Sequence, residues 1–239
     1  MRSKKIVLGL VLFGLVLGLS TNKSAAQGIE VDVSADLVSS YVWRGFKGAG
    51  ASVQPSLSTS VDRFTLGAWG STDFYGGGAK EADFYASYSL GGVEITVTDY
   101  WWDNDGTFRY FSHPNGGDGH LLEGSLTYTL SESLPISLSW NTFIMGKGNK
   151  KADGKNSFST YVEASYPFSI GGVDMQIATG FTPWESVVYG TDGLKFTNIL
   201  IRASKEVKIT DSFTLPVFTQ LIANPAVEDI NFVFGVTIK

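Results

Sequence analysis

The chain has 239 residues, of which 43% are hydrophobic, 17% charged and none cysteine, with a formal net charge of -5. The missing cysteines exclude disulfides, a lipid-modified cysteine and thiolate-ligated zinc, and the acidic balance argues against nucleic acid as a partner. The glycines, 28 in all, cluster between strand-like runs and form no dinucleotide or phosphate-loop pattern, so neither cofactor nor metal is expected.

Residues 1–26 read as a secretory signal peptide. Arg2, Lys4 and Lys5 precede an apolar run from Ile6 to Leu19, and Ser24-Ala25-Ala26 supplies small residues for cleavage. The run is too short to cross a bilayer core of ~30 Å as a helix. The mature chain, 27–239, is expected to leave the cytoplasm. No later segment stays apolar for the ~18 residues of a spanning helix, which leaves open a barrel, because barrel strands alternate.

The first strand is predicted over Ile29 to Phe46, with Ile29, Val31, Val33, Ala35, Leu37, Tyr41 and Trp43 on one parity and Glu30, Asp32, Asp36 and Arg44 on the other. Further period-two runs follow at Ser52 to Asp62, Arg63 to Phe74, Glu81 to Leu90 and Val93 to Trp102, and then at His120 to Ser131, Pro135 to Met145 and Phe158 to Ile170. The last four are Val173 to Thr182, Phe196 to Ile209, Phe213 to Ala223 and Asp229 to Lys239. In Phe213 to Ala223 both faces are mixed, so the count is twelve, with ten as the alternative.

The connections sort by parity. Those after even strands are tight, as at Asp62-Arg63, Gly91-Gly92, Glu132 to Leu134, Gly171-Gly172 and Thr210 to Ser212, while those after odd strands are long and polar. An outer-membrane barrel with both termini in the periplasm shows this asymmetry, and a soluble sandwich has no reason to. Tyr41, Trp43, Phe74, Trp101 and Trp184 then fall at the outer strand ends and Phe64, Tyr88, Tyr128 and Phe168 near the inner ends, as two aromatic girdles. Pro55, Pro167 and Pro216 each require a bulge or strand end, and Asp99 sits on the lipid parity.

VSADLVSSYVWRGF, SVQPSLSTSV, FTLGAWGSTDF and EADFYASYSLGGVEITVTDYWW, within Val33 to Trp102, resemble the opening of the TorF-type porins of Gram-negative outer membranes. The most specific elements are Tyr41-Val42-Trp43-Arg44-Gly45 and Gln54-Pro55. The resemblance implies a signal-bearing barrel with pore activity and contributes no catalytic residue.

On the barrel reading the lumen-facing charges are Glu30, Asp32, Asp36, Arg44, Asp73, Asp83, Glu94, Glu123, Glu163, Asp174, Arg202 and Glu206. Carboxylates outnumber arginines ten to two, which in a solvated pore favours cations. Paired across a plugged interior, the same groups would only hold the wall together. The longest loop, Asp103 to Gly119, carries Phe108, Arg109, Tyr110, Phe111 and His113 and could fold inward as a constriction. The expected function is passive passage of small solutes across the outer membrane, with lipid and solutes as partners. A closed structural or adhesive barrel, displaying that loop and Gly146 to Ser157, is the alternative. A lipid-modifying enzyme is less favoured. It needs a serine, a histidine and an acid at the lipid-facing rim, and His113 and His120 are the sole histidines, with Glu123 on the opposite face from His120.

Overall fold

The computed structural model describes residues 28–77, 80–103, 110–111 and 119–239; the predicted signal peptide and Phe108, Arg109 and His113 lie outside these. Sixteen strands follow in order: β1 (Glu30–Val38), β2 (Tyr41–Trp43), β3 (Phe46–Ala49), β4 (Ser52–Val61), β5 (Phe64–Asp73), β6 (Lys80–Leu90), β7 (Val93–Asp103) and β8 (His120–Thr129), then β9 (Ser137–Gly146), β10 (Thr160–Ile170), β11 (Val173–Thr182), β12 (Glu185–Ser186), β13 (Thr191–Asp192), β14 (Lys195–Lys208), β15 (Thr214–Asn224) and β16 (Asp229–Ile238). Twelve of them close into one antiparallel barrel in the order β1-β16-β15-β14-β11-β10-β9-β8-β7-β6-β5-β4. The pairs β2–β3 and β12–β13 are separate two-stranded sheets.

The predicted alternation sets the two faces of the wall. Val33, Leu57, Phe84, Ile95, Leu126, Ile177, Ile201 and Phe234 stand exposed on the outside, the surface hydrocarbon accepts and water does not. The chain is a transmembrane up-and-down barrel. At one end the connections are tight. Val61 pairs with Phe64, Leu90 with Val93 and Ile170 with Val173, which leaves two-residue turns that Asp62 (φ 54), Gly91 (φ 61) and Gly171 (φ 59) enter in the left-handed region.

The three strand prolines are accommodated without bulges. Pro167 lies past the last β10–β9 pair, Ser165 with Ser137, and Pro216 lies before the first β15–β16 pair, Val217 with Val236. Pro55 falls in the gap where the β4–β5 ladder passes from Val53–Thr72 to Ser56–Trp69. In each case the missing N–H faces a place where no ladder bond is made.

The first strand is shorter than predicted. It ends at Val38, because Ser39 closes the β1–β16 seam by donating its N–H to the Phe234 carbonyl (2.8 Å) while its Oγ accepts the Phe234 N–H (2.9 Å). Beyond it the chain leaves the wall and folds into the lumen as the β2–β3 hairpin. Tyr41 and Trp43 are therefore interior residues and no part of an outer girdle. Phe64, Tyr88 and Tyr128 at the tight-turn end, and Phe74 and Trp184 at the other, stand exposed as the girdle predicts, whereas Trp101 is 4% exposed, with the Tyr110 ring against it.

Candidate functional site: the occluded lumen

The hairpin turns on Arg44 (φ 49) and Gly45 (φ 88), between the paired residues Trp43 and Phe46. Two successive positive φ values are the signature of the tight hairpin turn whose twist matches the strands. Glycine is obligatory at the second position for a further reason: a Cβ on Gly45 would lie 1.7 Å from the backbone oxygen of Thr197. The tip is thus pressed against β14, and Asn224 on β15 donates its Nδ2–H to the Gly45 carbonyl at 3.2 Å.

Each flank of the hairpin meets a different lining. On one side Trp43 packs in an aromatic cluster with Tyr100, Trp102, Phe143 and Tyr189, at ring-centroid distances of 5.6 to 6.4 Å. On the other, Val42 packs against Val38, Phe218, Ile222 and Val233. This second cluster explains the mixed faces of β15: its lumen side turns apolar where the hairpin leans on it. Tyr41 packs its ring, tilted, against Trp69 (5.6 Å) and donates its hydroxyl to Glu81 Oε2 (2.7 Å).

Arg44 is held most closely. Its Nη1 and Nη2 donate to Glu123 Oε1 and Oε2 at 2.6 and 2.9 Å, a two-pronged pair in which the side chains are 13% and 1% exposed. The guanidinium carbon sits 4.5 Å from the Trp43 ring centroid and 4.8 Å from that of Tyr161. Glu123 also accepts the Tyr100 hydroxyl at 3.1 Å, and a register shift in the β8–β9 ladder between Leu122 and Glu123 lies where it points inward. Arg44 Nη1 further donates to the hydroxyl of Tyr189. That tyrosine is carried into the lumen by the second inserted hairpin, β12–β13, which Ser157 Oγ and Ser159 Oγ anchor by accepting the N–H groups of Val187 and Val188. Burial lowers the pKa of Arg44, but Tyr189 and Glu123 raise it further, so it stays a cation; burial raises the pKa of Tyr189, which stays a neutral hydroxyl.

The predicted charges divide by depth. Glu30, Asp32, Glu94, Asp174 and Glu206 are exposed near the tight-turn end, Glu94 and Asp174 accepting Ser89 Oγ and Ser169 Oγ at 3.1 and 2.8 Å. Asp36 accepts Thr237 Oγ1 at 2.6 Å, and Arg202 lies over the Phe218 ring at 3.9 Å. Towards the loop end Asp83 and Glu123 are buried, Glu163 accepts from Tyr161 and Asn198, and Asp73 accepts the Gly77 N–H. Arg44 belongs to the plug and not to the wall. Sequence reasoning missed the roles of Tyr100, Tyr161 and Tyr189 and the buried Glu81. The one local sign of the hairpin is Arg44-Gly45 flanked by Trp43 and Phe46, a two-residue turn between aromatic strand residues.

The long loop, as far as it is described, does not constrict the lumen. Tyr110 lies on the outer wall, edge-on to Phe84 (5.4 Å), beside Trp101 (5.8 Å) and against His120 (4.6 Å). Its hydroxyl donates to Asp99 Oδ2 at 2.6 Å, and Phe111 is exposed. Asp99, the carboxylate on the lipid parity, is thereby bonded, and His120 Nδ1 lies 3.0 Å from both its oxygens. His120 Nε2 donates to the Tyr110 carbonyl at 2.9 Å, so among the described residues Nδ1 meets Asp99 and Nε2 meets Tyr110, and neither of these partners is a serine. Glu123 is on the other side of the wall.

No family model matches the sequence, and no curated protein matches it. Among solved structures the chain is similar to a double variant of OccD1 (OprD), at 12% identity and a TM-score of 0.37, over 89% of this chain and 65% of that one. It is also similar to an outer membrane channel from Pseudomonas putida F1, at 16% identity and a TM-score of 0.40, over 91% and 98% of the two chains. A bacterial polysaccharide outer membrane secretin follows at 10% identity and a TM-score of 0.37, over 90% and 99%. The chain spans about two thirds of the length of the OccD1 chain.

Proposed function

We propose that the chain is a porin-type channel of a Gram-negative outer membrane, passing small solutes, biased to cations and held shut by its β2–β3 hairpin. The observation that carries this reading is the way the lumen is filled. Its loop-end half is occupied by the two inserted hairpins, which are no part of the wall, and the wall is complete without them because Val38 pairs directly with Ser52 and Thr182 with Lys195. The other half is lined by Ser56, Ser58, Ser125, Thr127, Ser139, Ser165 and Ser204, small hydroxyl side chains that keep partial solvent access. A barrel serving only as structure would fill itself from its own strands, as eight-stranded barrels do.

Carboxylates at the tight-turn end support the cation preference, since Glu30, Asp32, Glu94, Asp174 and Glu206 are solvated there. The export signal in residues 1–26 and the resemblance of Val33 to Trp102 to the TorF-type porins support the same reading.

Planar-bilayer recording tests it. The wild-type chain is compared with one in which residues 39–51 are replaced by a two-residue Asn-Gly turn, the natural closure for a directly paired Val38 and Ser52. Rare, small steps for the wild type and frequent, larger ones for the shortened chain are expected. Absence of steps in both would overturn the channel.

A further inference from the structure

We infer that Glu123, Tyr100, Tyr161 and Tyr189 form a guanidinium-binding site in the lumen, which the chain's own Arg44 fills in the closed state and which guanidinium-bearing solutes occupy when the hairpin is out. The occupation half of this rests on the channel reading; the binding half does not.

The site has the chemistry of selective recognition and not of simple charge pairing. Glu123 presents both carboxylate oxygens to two nitrogens of one planar cation, at 2.6 and 2.9 Å. A guanidinium fits that fork, whereas an ammonium can meet it at one point. Tyr161 offers a ring face 4.8 Å from the cation carbon, and flat stacking also favours a guanidinium over a hydrated ammonium. The Tyr189 hydroxyl accepts a further N–H, and Tyr100 fixes the carboxylate at 3.1 Å.

The origin of each member matters as much. Glu123 and Tyr100 are on β8 and β7, Tyr161 is on β10, and Tyr189 lies between β12 and β13. Only Trp43, the second ring face, leaves with the hairpin. Withdrawing the hairpin therefore leaves a carboxylate, 1% exposed while Arg44 is in place, walled by tyrosines and lacking its cation. With its fork and those rings kept in position, it takes up a replacement cation of the same shape. In the wild type Arg44 is tethered, at an effective concentration on the order of millimolar or above, so dilute free guanidinium competes poorly.

Calorimetric titration of the purified full chain carrying Arg44→Ala, in detergent, with guanidinium chloride as the probe, tests the site. Saturable binding is expected. It should be about tenfold weaker for ammonium chloride at equal ionic strength, absent for sodium chloride, and lost when Glu123→Gln is added. Equal, non-saturating heats for the three salts, or unchanged binding in the double variant, would overturn the site. Should Arg44→Ala lose its folded, heat-modifiable gel migration, the chain with residues 39–51 replaced by Asn-Gly retains Glu123, Tyr100, Tyr161 and Tyr189 and decides the question by the same titration. Bilayer recording separates the two readings. Steps that guanidinium blocks and sodium does not support occupation in the open lumen, and steps that guanidinium leaves unchanged overturn it. Absence of steps overturns the channel alone, leaving the calorimetry to judge the site.

Discussion

Glu123→Gln removes one charge from a pair in which the carboxylate is 1% and the guanidinium 13% exposed. Removing one partner of a buried pair costs about 3–5 kcal/mol. Here the loss is smaller, because Arg44 keeps Tyr189 and the faces of Trp43 and Tyr161, and the new amide oxygen still accepts one N–H. About 2–3 kcal/mol remains, all of it destabilising the docked hairpin relative to the withdrawn one, and at 1.4 kcal/mol per decade this is a roughly 30- to 150-fold rise in the withdrawn population. The chain has no cysteine, so a single thiol reports on the hairpin alone. Ala49→Cys places it in β3 at a position 5% exposed. Its rate of modification by a small methanethiosulfonate reagent follows the withdrawn population when reclosing is fast. The expected result is acceleration within that range for Glu123→Gln and none for Glu206→Gln, whose carboxylate is exposed. Equal rates in all three backgrounds would show that the pair does not hold the hairpin.

Gly45→Ala brings a methyl group to 1.7 Å from the Thr197 oxygen at a φ of 88°; the tip cannot seat, and the same thiol should react at least as fast as with Glu123→Gln. Leu57→Arg puts a charge at the middle of β4 on the outward face, at a side chain 52% exposed, and should cost about 2–4 kcal/mol of folding stability in urea titrations with lipid vesicles; a change near zero would mean that this face does not meet hydrocarbon. In the chain lacking residues 39–51, neutralising Asp32, Glu94, Asp174 and Glu206 as amides should move the reversal potential towards zero in a potassium chloride gradient. Unchanged selectivity would place the filter elsewhere. Asp36, bonded to Thr237 and beside Arg202, should add less than these four when neutralised.

The wall was legible in the sequence because it obeys local rules. Period two decides which side chains of a strand look outward, and the alternation of tight and long connections decides that successive strands run up and down. Together these give twelve strands, with ten left open by the mixed faces of Phe213 to Ala223, as well as their order and the lipid-facing rows, and Val31, Leu57 and Phe232 stand outside as their parity requires. Pro167 and Pro216 follow once the ladder ends are known, whereas Pro55 lies inside its ladder and neither at a strand end nor in a bulge.

The interior was not legible, because it depends on pairs that no local pattern contains. Glu30 to Leu37 alternates, and Tyr41 and Trp43 resume the same parity after Val38 and Ser39 break it, yet the strand stops at Val38 and residues 41–49 enter the lumen. What draws them in is a carboxylate 79 positions from Arg44, a tyrosine 145 positions away and an asparagine 179 positions from Gly45. The same holds for Tyr110, which is apolar enough to bury but is bound to the outer wall by Asp99 and His120. A strand's own residues determine which face of the barrel they line. Whether the space they enclose is open or filled is decided by side chains brought together only when the wall closes, since a bidentate charge pair and a stacked ring depend on distance in space and not on spacing along the chain.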